Sequence, residues 1–508
     1  MARRYDAVVI GAGNGGLTAA ATMAKAGKSV LLLEQHNTPG GFATSFVRGR
    51  FEFEPSLHEM CEFGSEQDPA SVRELFDELG IKLDWHLVPE AYRMVLLNDP
   101  DVKDVTMPFG VEAYTEAVEK AAPGSLPSMK KFLALCSDIN DALNYMSSSG
   151  GHPDPKVMQK DYANFLKCAP YSTNKVLDVI GMPVKTRKII EAYWCYMGVD
   201  CDHFPFYAYA IMLWKYLTTG GYIPHKRTHS ISLALSNRIL ELGGDIWCST
   251  KATRILMKDG KPCGVRTTHG DVETEHVICD CSPNAVFGDM MDDSELTSAQ
   301  RRAINAREIG MRGFVVYVGL NKPMEELGLD AYSYFIYDNM DTVDQVKCVN
   351  SFEKNHIQAS ICLNAAIPDC SPPGTTIMSF TTFFGADLWD NIAPEDYVKT
   401  KRAVADQIFE DFAKATGVDV RPYIEEIEIA TPATLARYTL NPKGAMYAYA
   451  NSDWDSMLAR LMMMKEDEII PGIRFAGGYG PRVYGYNSTY NCGNMTAKLT
   501  LADMKGEV

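Results

Sequence analysis

The chain has 508 residues, enough for two or three domains with substantial cores. Hydrophobic residues make up 46% and charged residues 22%, a globular balance that excludes a disordered or fibrous protein. The net charge of −16 argues against a nucleic-acid partner and against docking on anionic lipid by charge alone, because both need clustered Lys and Arg.

Residues 1–4 lead at once into an apolar strand pattern, with no hydrophobic leader. The longest apolar run, over 204–214, is about half the length of a membrane span. A cytoplasmic protein is expected, with peripheral membrane contact left open. The 13 cysteines form no CxxC pair and read as reduced, mostly buried thiols.

YDAVVI at 5–10 predicts a buried strand. Gly11-Ala12-Gly13-Asn14-Gly15-Gly16 follows, then good helix formers over 17–26, closed by Gly27. A second apolar strand over 29–33 ends at Glu34. Strand, glycine turn, helix, strand and acid in this order form a dinucleotide-binding unit. Gly11 permits the tight turn, Gly13 lets backbone approach a pyrophosphate, and Gly16 lets the helix pack on the strand. The helix N-terminus, at Asn14 and Gly15, offers free N–H groups and a positive dipole end to phosphate. Glu34, with Gln35 beside it, lies 18 residues after Gly16 and can accept hydrogen bonds from ribose hydroxyls.

Pro39-Gly40-Gly41, followed by Phe42-Ala43-Thr44-Ser45-Phe46, resembles the FAD fingerprint of the amine oxidase and phytoene desaturase superfamily. In that superfamily a glycine pair behind the ribose-binding acid lays its backbone against FAD. The resemblance implies FAD as cofactor and adds Gly40, Gly41, Phe42, Ala43 and Thr44 to the expected contacts.

Helices are predicted over 111–122, 128–146, 162–169 and 188–197. Ser147-Ser148-Ser149-Gly150-Gly151 reads as a surface loop or a lid hinge. A helix is predicted from 230 to the Gly243-Gly244 pair, then strands over 245–248, 252–257, around Gly264-Val265, and at 277–278 before Asp280-Cys281-Ser282-Pro283. In the family resembled, this block returns to the FAD domain and a residue near Ala252 contacts the adenine side. Strands over 314–320, 332–337 and 376–384 and a helix over 396–416 are predicted next. Residues 472–478 read as a strand entering a glycine turn. A loop with Tyr479, Tyr484, Gly485, Tyr486 and Tyr490 follows, and Asn491-Cys492-Gly493-Asn494 is read as opening the last helix. In the family this end holds the ribityl chain and pyrimidine edge of the flavin, which implies contacts from Gly477, Gly478, Asn491, Gly493 and Asn494.

The expected fold is therefore α/β. A discontinuous Rossmann-like FAD-binding domain would comprise residues 1–85, 221–298 and 456–508. A mixed sheet-plus-helix substrate domain would comprise a helical part, 86–220, and a sheet-and-helix part, 299–455.

Thr431-Pro432, Arg437-Tyr438-Thr439, Asn441-Pro442, Gly444-Ala445 and Tyr447 resemble the signature of carotenoid isomerases and retinol saturases. Phe51-Glu52-Phe53-Glu54, with His58 after it, resembles the retinol saturase segment that carries a His behind Asp-x-Gly. Three departures stand out. Glu54-Pro55-Ser56 replaces Asp-x-Gly, and His225-Lys226-Arg227-Thr228-His229 replaces a Gly-Gly ahead of the helix. Several tyrosines also precede Asn491, where relatives are small or apolar.

The resemblance implies an FAD-dependent oxidoreductase that exchanges hydride between flavin N5 and a carbon of an apolar substrate, isoprenoid or unsaturated acid. A side chain handles the companion proton, and Tyr484, Tyr486, Tyr490, His58 and His229 are the candidates. Arg227, with Lys226, and Arg437 could bind a substrate carboxylate or make structural pairs. Three other readings stay open: a redox-neutral double-bond isomerase using reduced FAD, a flavin amine oxidase, and a non-enzymatic FAD-binding escort. No second GxGxxG is present, so a diffusible electron donor or acceptor is expected. His225 and His229 stand at i, i+4, but no metal site is predicted, and the oligomeric state is open.

Overall fold

The computed structural model describes residues 3–56, 59–385, 387–451, 455–465, 468–482 and 485–507. The run AVVI forms strand β1 (Ala7–Ile10) and the glycine turn leads into helix α1 (Asn14–Lys25), which returns to β2 (Val30–Leu33). Much later come helix α2 (His229–Glu241), β3 (Asp245–Trp247) and β4 (Val277–Cys279), and near residue 480 come β5 (Ile473–Phe475) and helix α3 (Tyr486–Lys505). The five strands form one sheet in the order β3-β2-β1-β4-β5, every pair parallel.

Both faces of this sheet are covered, which is why its strands are continuously apolar rather than alternating. Ala7, Val9, Val30, Leu32 and Ile278 pack on the helical side, among residues of α1, α2 and α3. Val8, Ile10, Leu31, Leu33, Val277 and Cys279 face the other way, against Ala252, Ile255, Val265 and Val272. Those four belong to a small sheet ordered Arg3–Arg4, Gly270–Glu273, Lys261–Thr267, Ala252–Lys258.

A second, seven-stranded sheet runs Ile424–Ala430, Arg312–Leu320, Thr376–Phe384, Gln358–Cys362, Ser333–Tyr337, Tyr92–Leu96, Asp104–Met107. One side packs on Leu126–Ser148 and Phe206–Thr219, the other on Tyr397–Thr416. The fold is thus mixed α/β with a Rossmann-like unit, as expected.

Four local readings differ. Phe206–Thr219 is a helix with no predicted counterpart; it is mostly apolar because it packs in the core on one side of the seven-stranded sheet. The helix expected over 188–197 is two pieces, Val184–Ile190 and a tighter turn Ala192–Tyr196. Ser147 and Ser148 finish the long helix, and Gly150 and Gly151 form its closing turn at φ +66° and +81°. A Cβ on Gly151 would press on the main chain of Leu461 and Met462, so this is a packed turn and not a hinge. The last helix begins at Tyr486, not at Asn491: Gly485, at φ +101°, makes the break, and its carbonyl accepts from Thr489 N at 2.8 Å. Among the described residues no helix is long and apolar enough to cross a membrane.

Candidate active site

The glycine turn is built for close approach. Gly11 sits at φ +98°, where side chains are strained. A Cβ on Gly16 would run into the Gly11 carbonyl, and one on Gly15 would lie 2.6 Å from Gly477 Cα. Gly493, on α3, could not carry a Cβ without meeting the Gly15 carbonyl. The Gly40-Gly41 pair lies on the same turn: Gly40 N donates to Ala12 O at 2.8 Å, and a Cβ on Gly41 would be 3.2 Å from Gly13 Cα. Glu34, at the end of β2, accepts from Ala12 N at 2.9 Å and from His36 N at 2.8 Å. Thr250 N donates to the Glu34 carbonyl at 2.8 Å, which brings the strand of Ala252 beside the acid. Ala252 itself is buried, packed with Leu33 and Ile10.

At the N-terminus of α1, Asn14 Oδ1 is buried without a hydrogen-bond partner among the described residues. A cradle stripped of side chains, a helix N-terminus and this unsatisfied oxygen fit a bound dinucleotide. Asn491 and Asn494 are otherwise engaged. Asn491 Nδ2 donates to Ser71 Oγ at 3.0 Å and Glu62 at 3.3 Å, and Asn494 Oδ1 accepts from Thr22 of α1 at 3.3 Å. Ala43 O accepts from Ser232 Oγ at 2.7 Å, while Gln35 and Thr44 are half-buried.

Asp280, just past β4, points its carboxyl into this cradle. A Cβ on Gly13 or Gly15 would come within 2.9 Å of it, and the Gly13 and Gly16 N–H groups donate to it. Burial, with the nearby Glu34 charge, lifts its pKa to about 6 against the pull of those N–H groups. A pyrophosphate would compete for the same donors. Flavin affinity is therefore expected to fall as pH rises through about 6, where Asp280 becomes charged. An Asp280→Asn variant is expected to bind flavin more tightly above that pH and to lose the limb. Fluorescence titration of apoprotein across pH tests this, and identical profiles for both proteins refute it.

The turn Gly477–Tyr479 is held from behind. Arg460 Nη1 donates to Gly478 O at 3.0 Å, and Arg460 forms a two-pronged pair with Asp455 at 2.9 Å and 2.9 Å. Both side chains are almost fully buried. Arg460→Ala would leave Asp455 with Arg307, at 3.4 Å, as its remaining cation among the described residues, and is expected to cost about 3 kcal/mol and to weaken flavin binding. Urea denaturation with flavin titration measures both, and a change under about 1 kcal/mol would show the pair to be dispensable.

Of the expected proton handlers, His58 and Tyr484 lie outside the described residues. Tyr486 OH is 2.8 Å from Ser56 Oγ and donates to Phe42 O at 3.1 Å. Burial raises its pKa, so it stays neutral. Tyr490 turns its ring edge-on to Phe76, 5.2 Å between centroids, inside the helical core. His229 opens α2 with Nδ1 3.2 Å from Ser45 Oγ, and burial holds its pKa below the ordinary range. Arg227 is not free for a substrate carboxylate: Nη1 donates to Glu52 O at 2.6 Å and the guanidinium pairs with the Glu52 carboxylate. Lys226 and Arg437 are exposed.

Two of the three sequence departures answer each other. Glu52 takes Arg227, Glu54 accepts from Thr228 Oγ1 at 2.7 Å, and Ser45 meets His229. These rungs tie the lead of α2 to the hairpin Phe46–Arg48 and Phe51–Phe53. Burial raises the Glu54 pKa to about 7.

A residue missed in the sequence lies a few positions on. The segment 54–62 is anchored at Glu54 by Thr228, and at Glu62 by Asn487 and Asn491 of α3, at 3.0 Å and 3.3 Å. Between these anchors Glu59 is buried, with Oε1 accepting from Tyr196 OH at 3.1 Å and Tyr216 as a second hydrogen-bonding neighbour. Burial, helped by the charge of Glu90, lifts its pKa to about 8 against the pull of Tyr196. Aromatic rings wall it: Tyr193 stacks on Tyr216 at 4.7 Å and on Tyr196 at 5.4 Å, and Phe335 lies 5.2 Å from Tyr196. A cavity of about 240 Å³ begins at the next residue, Met197, and is lined by Met311, Val346, Tyr447 and Tyr449. The one sequence signal was a lone Glu amid residues that bury, which is weak.

Residues 9–79 match the family model of an NAD(P)-binding Rossmann-like domain. Over 476 residues the chain is 25% identical to the all-trans-retinol 13,14-reductase of Danio rerio, covering 87% of this chain and 77% of that protein. Over 454 residues it is 21% identical to the chloroplastic prolycopene isomerase 1 of an Oncidium hybrid cultivar, covering 87% and 75%. A solved structure of putrescine oxidase bound to putrescine shares the fold, with a TM-score of 0.65 at 16% identity over 98% of this chain and 99% of that one. Fold, glycine cradle and relatives together define a flavin-dependent oxidoreductase. Within that class the chain is retinol saturase- and carotenoid isomerase-like.

Proposed function

We propose that the protein holds FAD and exchanges hydride with a C–C or C=C bond of an elongated, apolar, unsaturated substrate of isoprenoid type. The observation that carries the reading is Glu59, a carboxyl buried among aromatic rings on a segment anchored at both ends to the flavin region. The glycine cradle at Gly11, Gly13, Gly15 and Gly16 would hold the pyrophosphate and Glu34 the ribose. Gly40, Gly41, Gly477 and Gly478 would give backbone to the rest, near the N-terminus of α3. Bound FAD supplies a hydride donor or acceptor at N5. Glu59 keeps its proton below about pH 8 and can deliver it to a substrate carbon, or take it back in the reverse direction. The tyrosine walls keep water out and hold the carboxyl in its neutral form. With one dinucleotide motif in the sequence, electrons come from a diffusible donor.

The likeness to prolycopene isomerase supports a second reading, redox-neutral double-bond isomerisation with reduced FAD. The amine oxidase reading finds no support in the described tyrosines of α3, because Tyr490 faces the core and Tyr486 is tied to Ser56 and Phe42. Reducing the purified protein anaerobically and adding retinol or a linear polyene separates the readings. Flavin reoxidation with loss of one double bond is expected; an isomerised product with the flavin still reduced would favour the second. A protein that takes up no FAD sinks both.

A further inference from the structure

Three potential metal ligands converge on one strand pair. The strands Trp85–Leu87 and Tyr222–Pro224 pair antiparallel with Trp85 opposite Pro224 and His86 opposite Ile223. His225 N donates to Asp84 O at 2.9 Å, extending the pairing by one residue and setting Asp84 opposite His225. Directly opposed residues share a face, and so do residues two apart. Asp84, His86 and His225 therefore project from one face, although the two histidines are 139 residues apart in sequence.

The atoms meet at a point. His86 Nε2 and His225 Nδ1 are 3.0 Å apart, and Asp84 Oδ2 is 3.8 Å from His86 Nε2. One ligand atom from each of the three lies within 4.8 Å of the other two. Bonds of about 2.0–2.1 Å in a tetrahedral shell place ligand atoms roughly 3.3 Å apart, and the two separations bracket that figure. Behind His225, Asp369 Oδ2 stands 3.4 Å from Nε2. A carboxylate on that side favours the ring proton on Nε2 and so the Nδ1 lone pair towards the cluster, the usual outer partner of a metal-bound imidazole. Two imidazoles and one carboxylate favour zinc-like ions over calcium or magnesium, which want an all-oxygen shell.

We propose that Asp84, His86 and His225 bind one divalent transition-metal ion of the zinc type, with water in the fourth position and Asp369 orienting His225. The ion clips the strand holding His86 to the turn that runs through Arg227 and His229 into α2. His229, at i+4 from His225, takes no part: its ring turns to Ser45.

The test is a titration of the flavin-loaded protein with ZnCl2 against a chelating indicator. One equivalent is expected to bind. His86→Ala and His225→Ala are expected to abolish this binding, and Asp369→Asn to weaken it roughly 10- to 100-fold. Retained flavin absorbance shows that a variant is folded. Asp84→Asn, at an exposed position, keeps the test decisive if a histidine variant does not fold. Wild type that binds no zinc, or Asp84→Asn and His86→Ala that bind it as wild type does, overturns the site.

Discussion

A Gly16→Val protein is expected to purify without flavin colour. The hydrogen on Gly16 Cα faces the Gly11 carbonyl across the contact between α1 and β1, and an added Cβ would also lie 3.0 Å from Asp280 Cβ and 3.1 Å from Gly11 C. Both neighbours follow directly on two central strands, β1 and β4, so neither can rotate away. The helix must lift, and the N–H groups that would hold a pyrophosphate move with it. Overpacking of this kind costs about 1–3 kcal/mol before any ligand is considered. Loss of aligned donors is expected to add enough for affinity to fall by about 100-fold or more, roughly 2.7 kcal/mol. Gly288→Ala is the control: a Cβ there meets nothing within 4 Å, and that protein should keep its flavin. The ratio of flavin to protein absorbance reads the result. A fully loaded Gly16→Val protein would show that the cradle does not bind phosphate.

Glu59→Gln should do the opposite, keeping flavin while losing turnover by about 10²- to 10⁴-fold, the range for removing a general acid. The pH dependence sharpens the test. Burial lifts the folded pKa of Glu59 from 4.5 to about 8, so the carboxyl is protonated at neutral pH. In the reducing direction the rate is expected to fall as pH rises through about 8, and this limb should vanish in the variant. Stability carries its own sign. A raised folded pKa contributes stability that is full below the unfolded value of about 4.5 and lost as pH rises through about 8. Gln carries no charge at any pH, so the variant should be more stable than wild type above pH 8 while remaining slow. Normal turnover in Glu59→Gln would remove Glu59 from the reaction.

The glycine turn was legible because its information is local. Gly11, Gly13, Gly16 and Glu34 fall within one short strand-turn-helix-strand unit, and each residue type answers to one backbone or ligand demand. The strands of the seven-stranded sheet were legible for a similar reason: β-branched and aromatic runs such as Thr376–Phe384 leave little alternative. Phe206–Thr219 was not, because a helix this apolar has too small a polar face to set a period. The start of α3 was misplaced because Tyr486-Asn487-Ser488-Thr489 are poor helix formers that hold helical shape through tertiary packing. Long-range partners were out of reach altogether. Nothing near Arg227 announces Glu52, and nothing near Glu59 announces Tyr196. Burial made the difference at Glu59, and burial of a single acid is a property of the whole fold.

The contact between α1 and α3 also dictates a timetable. Asn14 meets Thr489, 475 positions later, and Gly15 packs against Gly477 and Gly493. At about 5–20 residues per second, a ribosome needs roughly 25–95 seconds to travel that distance. Through that interval the glycine cradle has been made but its lid of β5 and α3 has not. Flavin capture in this architecture therefore follows synthesis of the α3 segment, and until then the nascent first unit depends on whatever keeps apolar sheet faces apart in a crowded cell.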